Sequence, residues 1–333
     1  MRAVQCNAWG ELANITLAEV PPPPPPGPGK VAVEVAAAGV NFADILMITG
    51  KYQERPMPPF TPGLEVAGRV SAVGAGVQRV KPGDRVLAML DHGGFAEKVV
   101  ARESDVFRIP DGMGFAEAAG FAIAYGTSHG ALVWRAALKP GELLLVLGAA
   151  GGVGVSAVEL GKAYGARVIA AVSSPEKLEF ARRHGADDGV VYPKGPFDKA
   201  GAKALADVFK KACGENGADV IYDPVGGDYS EASLRAIAWE GRLLVVGFPA
   251  GIPKLPLNLT LLKSCQVVGV FWGAFARRDP KANAANLAEL MRLYDQGKIK
   301  PVVSERFPLA RAGEAIAKLA ARKAMGKIVV TME

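Results

Sequence analysis

Four glycines, Gly148, Gly151, Gly152 and Gly154, follow the apolar run Leu143–Leu147 directly. A helical pattern comes next, with apolar Val155, Val158, Leu160 and Ala163, and then a second apolar run over 166–172. Glycines in such a turn let backbone N–H groups approach a pyrophosphate, and the positive end of the helix stabilises its charge. Strand, glycine turn, helix and strand within about thirty residues is the setting of a dinucleotide fingerprint. The motif departs from G-x-G-x-x-G at Ala149, where the first glycine would stand. A tight structural turn is the other use of such a stretch. The chemistry it offers is hydride transfer with a diffusible nicotinamide cofactor.

NAD sites carry Asp or Glu about 20 residues past the glycines, at the end of the second strand. Here that stretch reads Ala171-Val172-Ser173-Ser174-Pro175-Glu176-Lys177. Ser173 can hydrogen-bond a 2′-phosphate and Lys177 can neutralise it, where a carboxylate would repel it. NADPH is therefore expected over NADH. A second role is open to Lys177, as a solvated lysine at a helix start, and Glu176 can swing toward the ribose.

The elements around these residues divide into two patterns. Residues 1–125 read as short strands between Gly/Pro turns, with candidates at Val31–Ala36, Gly68–Val73, Arg85–Met89 and Ala96–Val100. That spacing predicts a small barrel-like β domain. The prolines Pro21–Pro26 form a stiff extended connector. From residue 126 strands alternate with helices, the strands falling at 143–147, 166–172, 189–192, 218–222, 242–247 and 266–271. Such alternation predicts an α/β domain with a doubly wound parallel sheet over 126–271. Residues 272–333, with helices near 280–296 and 309–322 and a strand Lys327–Met332, are expected to return to the first domain.

Composition excludes several classes. Of 333 residues, 50% are hydrophobic and 22% charged, enough for a sizeable core. The net charge of +6 is spread without basic runs or interleaved aromatics, so nucleic acid is not an expected partner. No apolar run approaches the roughly 18 residues of a membrane span. The three cysteines lie far apart, and the N-terminus lacks the apolar core of a signal peptide. A cytoplasmic protein is expected.

Taken in order, further segments carry a resemblance. They are Gly39-Val40-Asn41-Phe42-Ala43-Asp44, Gly50-Lys51-Tyr52, Pro62-Gly63-Leu64-Glu65-Val66-Ala67-Gly68, Lys81-Pro82-Gly83-Asp84-Arg85-Val86, Asp223-Pro224-Val225-Gly226-Gly227 and Arg322–Lys327. With the glycine turn, they make the whole chain resemble the medium-chain dehydrogenase/reductase superfamily, in its zinc-independent quinone oxidoreductase (zeta-crystallin-like) branch. The resemblance implies a GroES-like β-barrel domain, a Rossmann domain and an active site in the cleft between them. Zinc-dependent members have Cys where Asn41 stands and His where Leu64 stands, and a cluster of cysteines near residue 95 that is missing here. No metal site is expected, because Glu65 and His129 alone cannot supply the three ligands a catalytic zinc needs.

The resemblance also implies roles for single residues. Asn41 and Asp44 would lie by the nicotinamide, with Asn41 offering an amide hydrogen bond; capping a helix start is their other reading. Tyr52 matches a proton donor of related enoyl reductases, or else anchors a loop. Ala150, Gly151, Gly152, Val153 and Gly154 would contact the pyrophosphate. Ser173, Lys177, Tyr192 and Arg322 would contact the adenosine 2′-phosphate and adenine, although Arg322 also suits a helix-end cation. Thr127, Gly247 and Phe248 would lie near the nicotinamide half. The implied activity is NADPH-dependent reduction of small-molecule quinones or α,β-unsaturated carbonyls. Reduction of enoyl-thioesters is the enzyme alternative, and a non-catalytic NADPH-binding structural or RNA-binding protein is the alternative from another class. A homodimer through the last Rossmann strand, Cys265–Trp272, is expected.

Overall fold

The run Leu143–Leu147 is the third strand across a six-stranded sheet in the computed structural model, which describes residues 1–332. Apolar side chains on both faces of a strand require cover on both faces, which parallel sheets obtain from their crossover helices. The strands lie in the order Asp188–Val191, Arg167–Val172, Leu143–Leu147, Ala218–Asp223, Ile237–Val245 and Gln266–Gly269. Every neighbouring pair is parallel. From Leu143–Leu147 the chain winds outward to one edge, then returns to the other side at Ala218–Asp223. Strand order reverses between those two strands, and such sheets bind ligands beyond the carboxyl ends at that point. Leu145, Leu147, Ile169, Phe209, Ile221 and Leu243 belong to the core beneath it.

The helix Gly152–Ala163 can start this close to the sheet because Gly154 has no side chain. A Cβ there would lie 2.1 Å from the Gly148 carbonyl oxygen. Gly148 itself turns the chain in the left-handed region at φ 58°.

This sheet belongs to a unit of residues 124–300, and the other unit comprises residues 1–123 with the chain from Pro301 on. The return was expected at 272 and comes at 301. The reason is packing. The helix Pro280–Asp295 buries Leu287, Leu290 and Leu293 together with Asn283 and Asn286, and Asn286 Nδ2 donates to the Gly126 carbonyl at 3.4 Å. The ring of Trp272 lies over Gly126 and Gly130.

In the first unit, one sheet runs Val303–Pro308, Lys327–Thr331, Lys30–Gly39, Glu65–Val73, Arg85–Met89 and Val106–Arg108, with Lys98–Arg102 also paired to Lys30–Gly39. All its pairs are antiparallel except the first. Lys30–Gly39 is its central strand, and Val31, Val33 and Val35 feed the core with alternate side chains. The strands Arg2–Cys6 and Ile15–Glu19 form a separate antiparallel pair that sequence patterning misses. The helix Phe42–Ile48 follows Lys30–Gly39 immediately, so Asn41 and Asp44 are placed by the end of the central strand.

A Cβ on Gly126 would lie 2.4 Å from the Trp272 ring. Gly126→Ala is expected to cost about 1–3 kcal/mol in urea unfolding through overpacking. Adding Trp272→Leu should recover part of that loss.

Candidate active site

The carboxyl edge of the parallel sheet gathers most of the cofactor-binding candidates. Ala150 and the glycines Gly151, Gly152 and Gly154, with Val153, follow the strand Leu143–Leu147. The N-cap of the helix is Gly151, which offers no side chain to its first-turn N–H groups. A first turn without such a cap, at the switch point, presents donors and the positive helix end to an anion. The residues present therefore fit a pyrophosphate.

Ser173 follows the second strand, Arg167–Val172, and Ser174 caps the helix Pro175–Arg183. Lys177 lies in the first turn of that helix and its Nζ donates to Ser173 Oγ at 3.4 Å. Partial burial lowers the Lys177 ammonium below its usual range, and the positive charge of Lys194 lowers it further. A lysine ammonium on a serine hydroxyl suits a phosphate. Lys194, three residues past the strand Asp188–Val191, was not among the sequence-based candidates. Glu176, the rival for the ribose, is tied to the Ser174 hydroxyl, which holds its carboxylate below the usual range.

Tyr192 is buried, its ring 4.9 Å from that of Tyr229 and 6.0 Å from that of Phe209. Its N–H donates to the Val172 carbonyl at 2.8 Å. Gly247 and Phe248 follow the fifth strand, where Phe248 is exposed. Their loop is tied to the turn after Asp223, since Ala250 N–H donates to Val225 O at 2.8 Å and Gly227 N–H donates to Gly251 O at 2.7 Å. Asp223 shapes that turn: its carboxylate accepts the Val225 and Gly226 N–H groups, both at 2.9 Å, and the Ser230 hydroxyl. Thr127, half-buried in the helix Ala122–His129, lies in the same unit.

Asn41, Asp44, Tyr52 and Arg322 belong to the other unit. Arg322 is exposed just past the helix Ala312–Ala320, in left-handed backbone at φ 57°. Tyr52 lies in the loop after the helix Phe42–Ile48, where its N–H donates to Leu46 O at 3.1 Å and the side chain packs on the core. Asp44 is fully buried; one carboxylate oxygen accepts the Asn41 N–H at 2.7 Å and the other the Gly63 N–H at 3.1 Å. This is half of a capping box, and it ties the helix start to the turn at Gly63. The Asn41 side chain is engaged elsewhere. Its Nδ2 donates to Glu65 Oε1 at 2.9 Å and its Oδ1 accepts from Lys327 Nζ at 2.7 Å. Neither Glu65 nor Lys327 stood among the sequence-based catalytic candidates. The available signal was a charge at the first position of each of two largely apolar strands.

The comparisons with known proteins agree with this architecture. Residues 27–111 match the family described as "Alcohol dehydrogenase GroES-like domain", and residues 152–290 match "Zinc-binding dehydrogenase". The chain is 38% identical to quinone oxidoreductase-like protein 2 of Rattus norvegicus, over 96% of this chain and 89% of that protein. It is 31% identical to the quinone oxidoreductase of Homo sapiens, over 86% and 83%. The Thermus thermophilus quinone oxidoreductase, solved alone and in complex with NADPH, is 32% identical with a TM-score of 0.84, covering 100% of both chains. A GroES-like domain joined to a parallel-sheet nucleotide domain defines the medium-chain dehydrogenase/reductases. Within that superfamily, the chain belongs to the quinone oxidoreductase family.

Burial pushes the Asp44 carboxyl up from its ordinary 3.8 to about 7, against the Asn41 and Gly63 N–H bonds and the Lys327 charge. The folded chain thus keeps a proton that the unfolded chain releases. That contribution to stability is complete below pH 3.8 and is lost as pH rises through about 7. Replacing Asp44 with Asn should flatten this part of the pH dependence. Unfolding free energies from urea titrations at about pH 5 and about pH 8 should then differ less than in the parent.

Proposed function

We propose that this NADPH-dependent oxidoreductase transfers hydride to quinones or other α,β-unsaturated carbonyls without zinc. When bound, the cofactor supplies the hydride from its nicotinamide ring. Ala150–Gly154 would hold its pyrophosphate at the uncapped helix start. Ser173 and Lys177, with Tyr192, would hold its adenosine 2′-phosphate end. Thr127, Gly247 and Phe248 would line the nicotinamide half.

The observation that carries the zinc-free reading is the Lys327 ammonium. It donates to Val40 O, Asn41 Oδ1 and Glu65 Oε1 at 2.7–3.0 Å. A cation already holds the oxygens that surround residue 41, where zinc-dependent relatives carry a cysteine ligand. Among the described residues, no three His, Cys, Asp or Glu come together as a metal site. A catalytic zinc wants three such ligands, and the donor set here does not fit one. Without a Lewis acid the acceptor must be activated by its own conjugation. The protein then orients that acceptor, excludes water and supplies a proton. Tyr52 is the group proposed to protonate the developing enolate.

The edge strand Gln266–Gly269 leaves Val267 exposed, and Leu257, Leu261, Leu262 and Phe271 nearby in sequence are exposed as well. An uncovered apolar edge favours pairing, so we propose a homodimer there. Its mass in light scattering should be that of two chains. The three free cysteines suit a reducing, cytoplasmic setting, and no helix among the described residues is long and apolar enough to cross a membrane.

NADPH oxidation against benzoquinone, phenanthrenequinone, hexenal and crotonyl-CoA tests the substrate class. Turnover on none of them, with NADPH bound, would sink the proposal; turnover on the thioester alone would move it to enoyl reduction. Lys177→Ala should raise the KM for NADPH about tenfold and leave that for NADH near its starting value. Tyr52→Phe should slow enone reduction about a hundredfold while sparing quinones, whose reduced form takes a proton from water. Unchanged kcat on enones would remove Tyr52 from the mechanism.

A further inference from the structure

Asn41, Asp44, Glu65 and Lys327 are all nearly inaccessible to solvent, the most exposed of them at 7%. Lys327 opens the strand Lys327–Thr331, whose next three residues are apolar and buried. A lysine seldom enters a core unless each of its N–H groups finds an acceptor. Here three acceptors meet it: Val40 O at 3.0 Å, Asn41 Oδ1 at 2.7 Å and Glu65 Oε1 at 2.9 Å. The same Glu65 oxygen accepts from Asn41 Nδ2 at 2.9 Å. The other Glu65 oxygen accepts the Ile123 N–H at 3.0 Å. The space is tight, because a Cβ on Gly39 would lie 2.5 Å from Glu65 Oε1.

The Asn41 amide is thus held between a cation on its oxygen and an anion on its nitrogen. Turning it over would set NH2 against ammonium and carbonyl oxygen against carboxylate. Each of the two contacts would change from attractive to repulsive in a low-dielectric interior.

We propose that Lys327 and Glu65 are positioning residues that lock the Asn41 amide in a single orientation for hydride transfer. The inference rests on the proposed role of Asn41 beside the nicotinamide. Neither charged group needs to touch the substrate; they act through Asn41. A lock of this kind affects turnover more than cofactor affinity, because displacing a reacting group by about 1 Å can cost on the order of a hundredfold in rate.

Lys327→Met alone leaves a buried carboxylate unpaired and is a poor test, since it threatens folding. The double variant Lys327→Met/Glu65→Gln removes both charges, nearly preserves shape and leaves residue 65 able to accept a hydrogen bond. It should melt close to the parent and bind NADPH with the same Kd, while kcat falls about tenfold or more at unchanged KM for NADPH. Lys327→Arg, which keeps the cation, should recover part of kcat. Asn41→Ala should be as slow as the double variant, and adding it to the double should slow the enzyme little further, because all three residues serve one function. Parental kcat in the double variant, with Asn41→Ala slow, would overturn the lock. So would a parallel loss of melting temperature and NADPH affinity, which would mark a general structural role. Parental kcat in Asn41→Ala would instead overturn the role of Asn41, and the lock with it.

Discussion

A carbonyl oxygen at Gly148 stands where the side chain of residue 154 would otherwise be. Because residue 154 is glycine, the helix Gly152–Ala163 starts against the end of the strand Leu143–Leu147 rather than a side chain's width away. That approach puts first-turn donors at the carboxyl edge of the sheet. The remaining groups on that edge are ordered around the same point. Ser173 and Lys177 follow from the strands on one side, and Asp223 and the Gly247–Phe248 loop from those on the other. A methyl group at residue 154 would disturb the geometry from which each of these positions takes its meaning.

The other unit solves a different problem, that of holding charge inside a core. Asp44 and Glu65 are buried carboxyl groups, that of Asp44 raised to about 7 by its burial, and Lys327 is a buried ammonium. Isolated buried charges are costly, so each must be met by hydrogen bonds or an opposite charge. Asp44 is met by two backbone N–H groups and Glu65 by Lys327, Asn41 and the Ile123 N–H. The result fixes the backbone at residues 39–44 and at Gly63 more firmly than apolar packing would, because hydrogen bonds have direction.

What could be read from the sequence depended on how local its cause was. Leu143–Leu147 was legible residue for residue, because an apolar run bounded by glycine leaves one reading. The fifth strand was expected from 242 but begins at Ile237. Glu240, in left-handed backbone at φ 57°, and exposed Trp239 break its alternation. The boundary at 301 was hidden because Asn283 and Asn286 make a buried helix face look solvated. Asn41 and Asp44 were legible as a pair, but the partners of the Asn41 side chain were not. Glu65 and Lys327 are 262 residues apart, and no local pattern reports a contact at that distance.

The distance from Asn41 to Lys327, 286 residues along the chain, also orders events during synthesis. Strand Lys30–Gly39 and helix Phe42–Ile48 leave the ribosome early, whereas the strand that pairs with Lys30–Gly39 and brings the ammonium leaves near the end. Until it arrives, Glu65 has no countercharge and Lys30–Gly39 lacks one of its neighbours. The nascent first unit is therefore an open sheet with an exposed edge, the kind of species that holdase chaperones bind. Fragments truncated before residue 327 would lack both that neighbouring strand and the countercharge to Glu65.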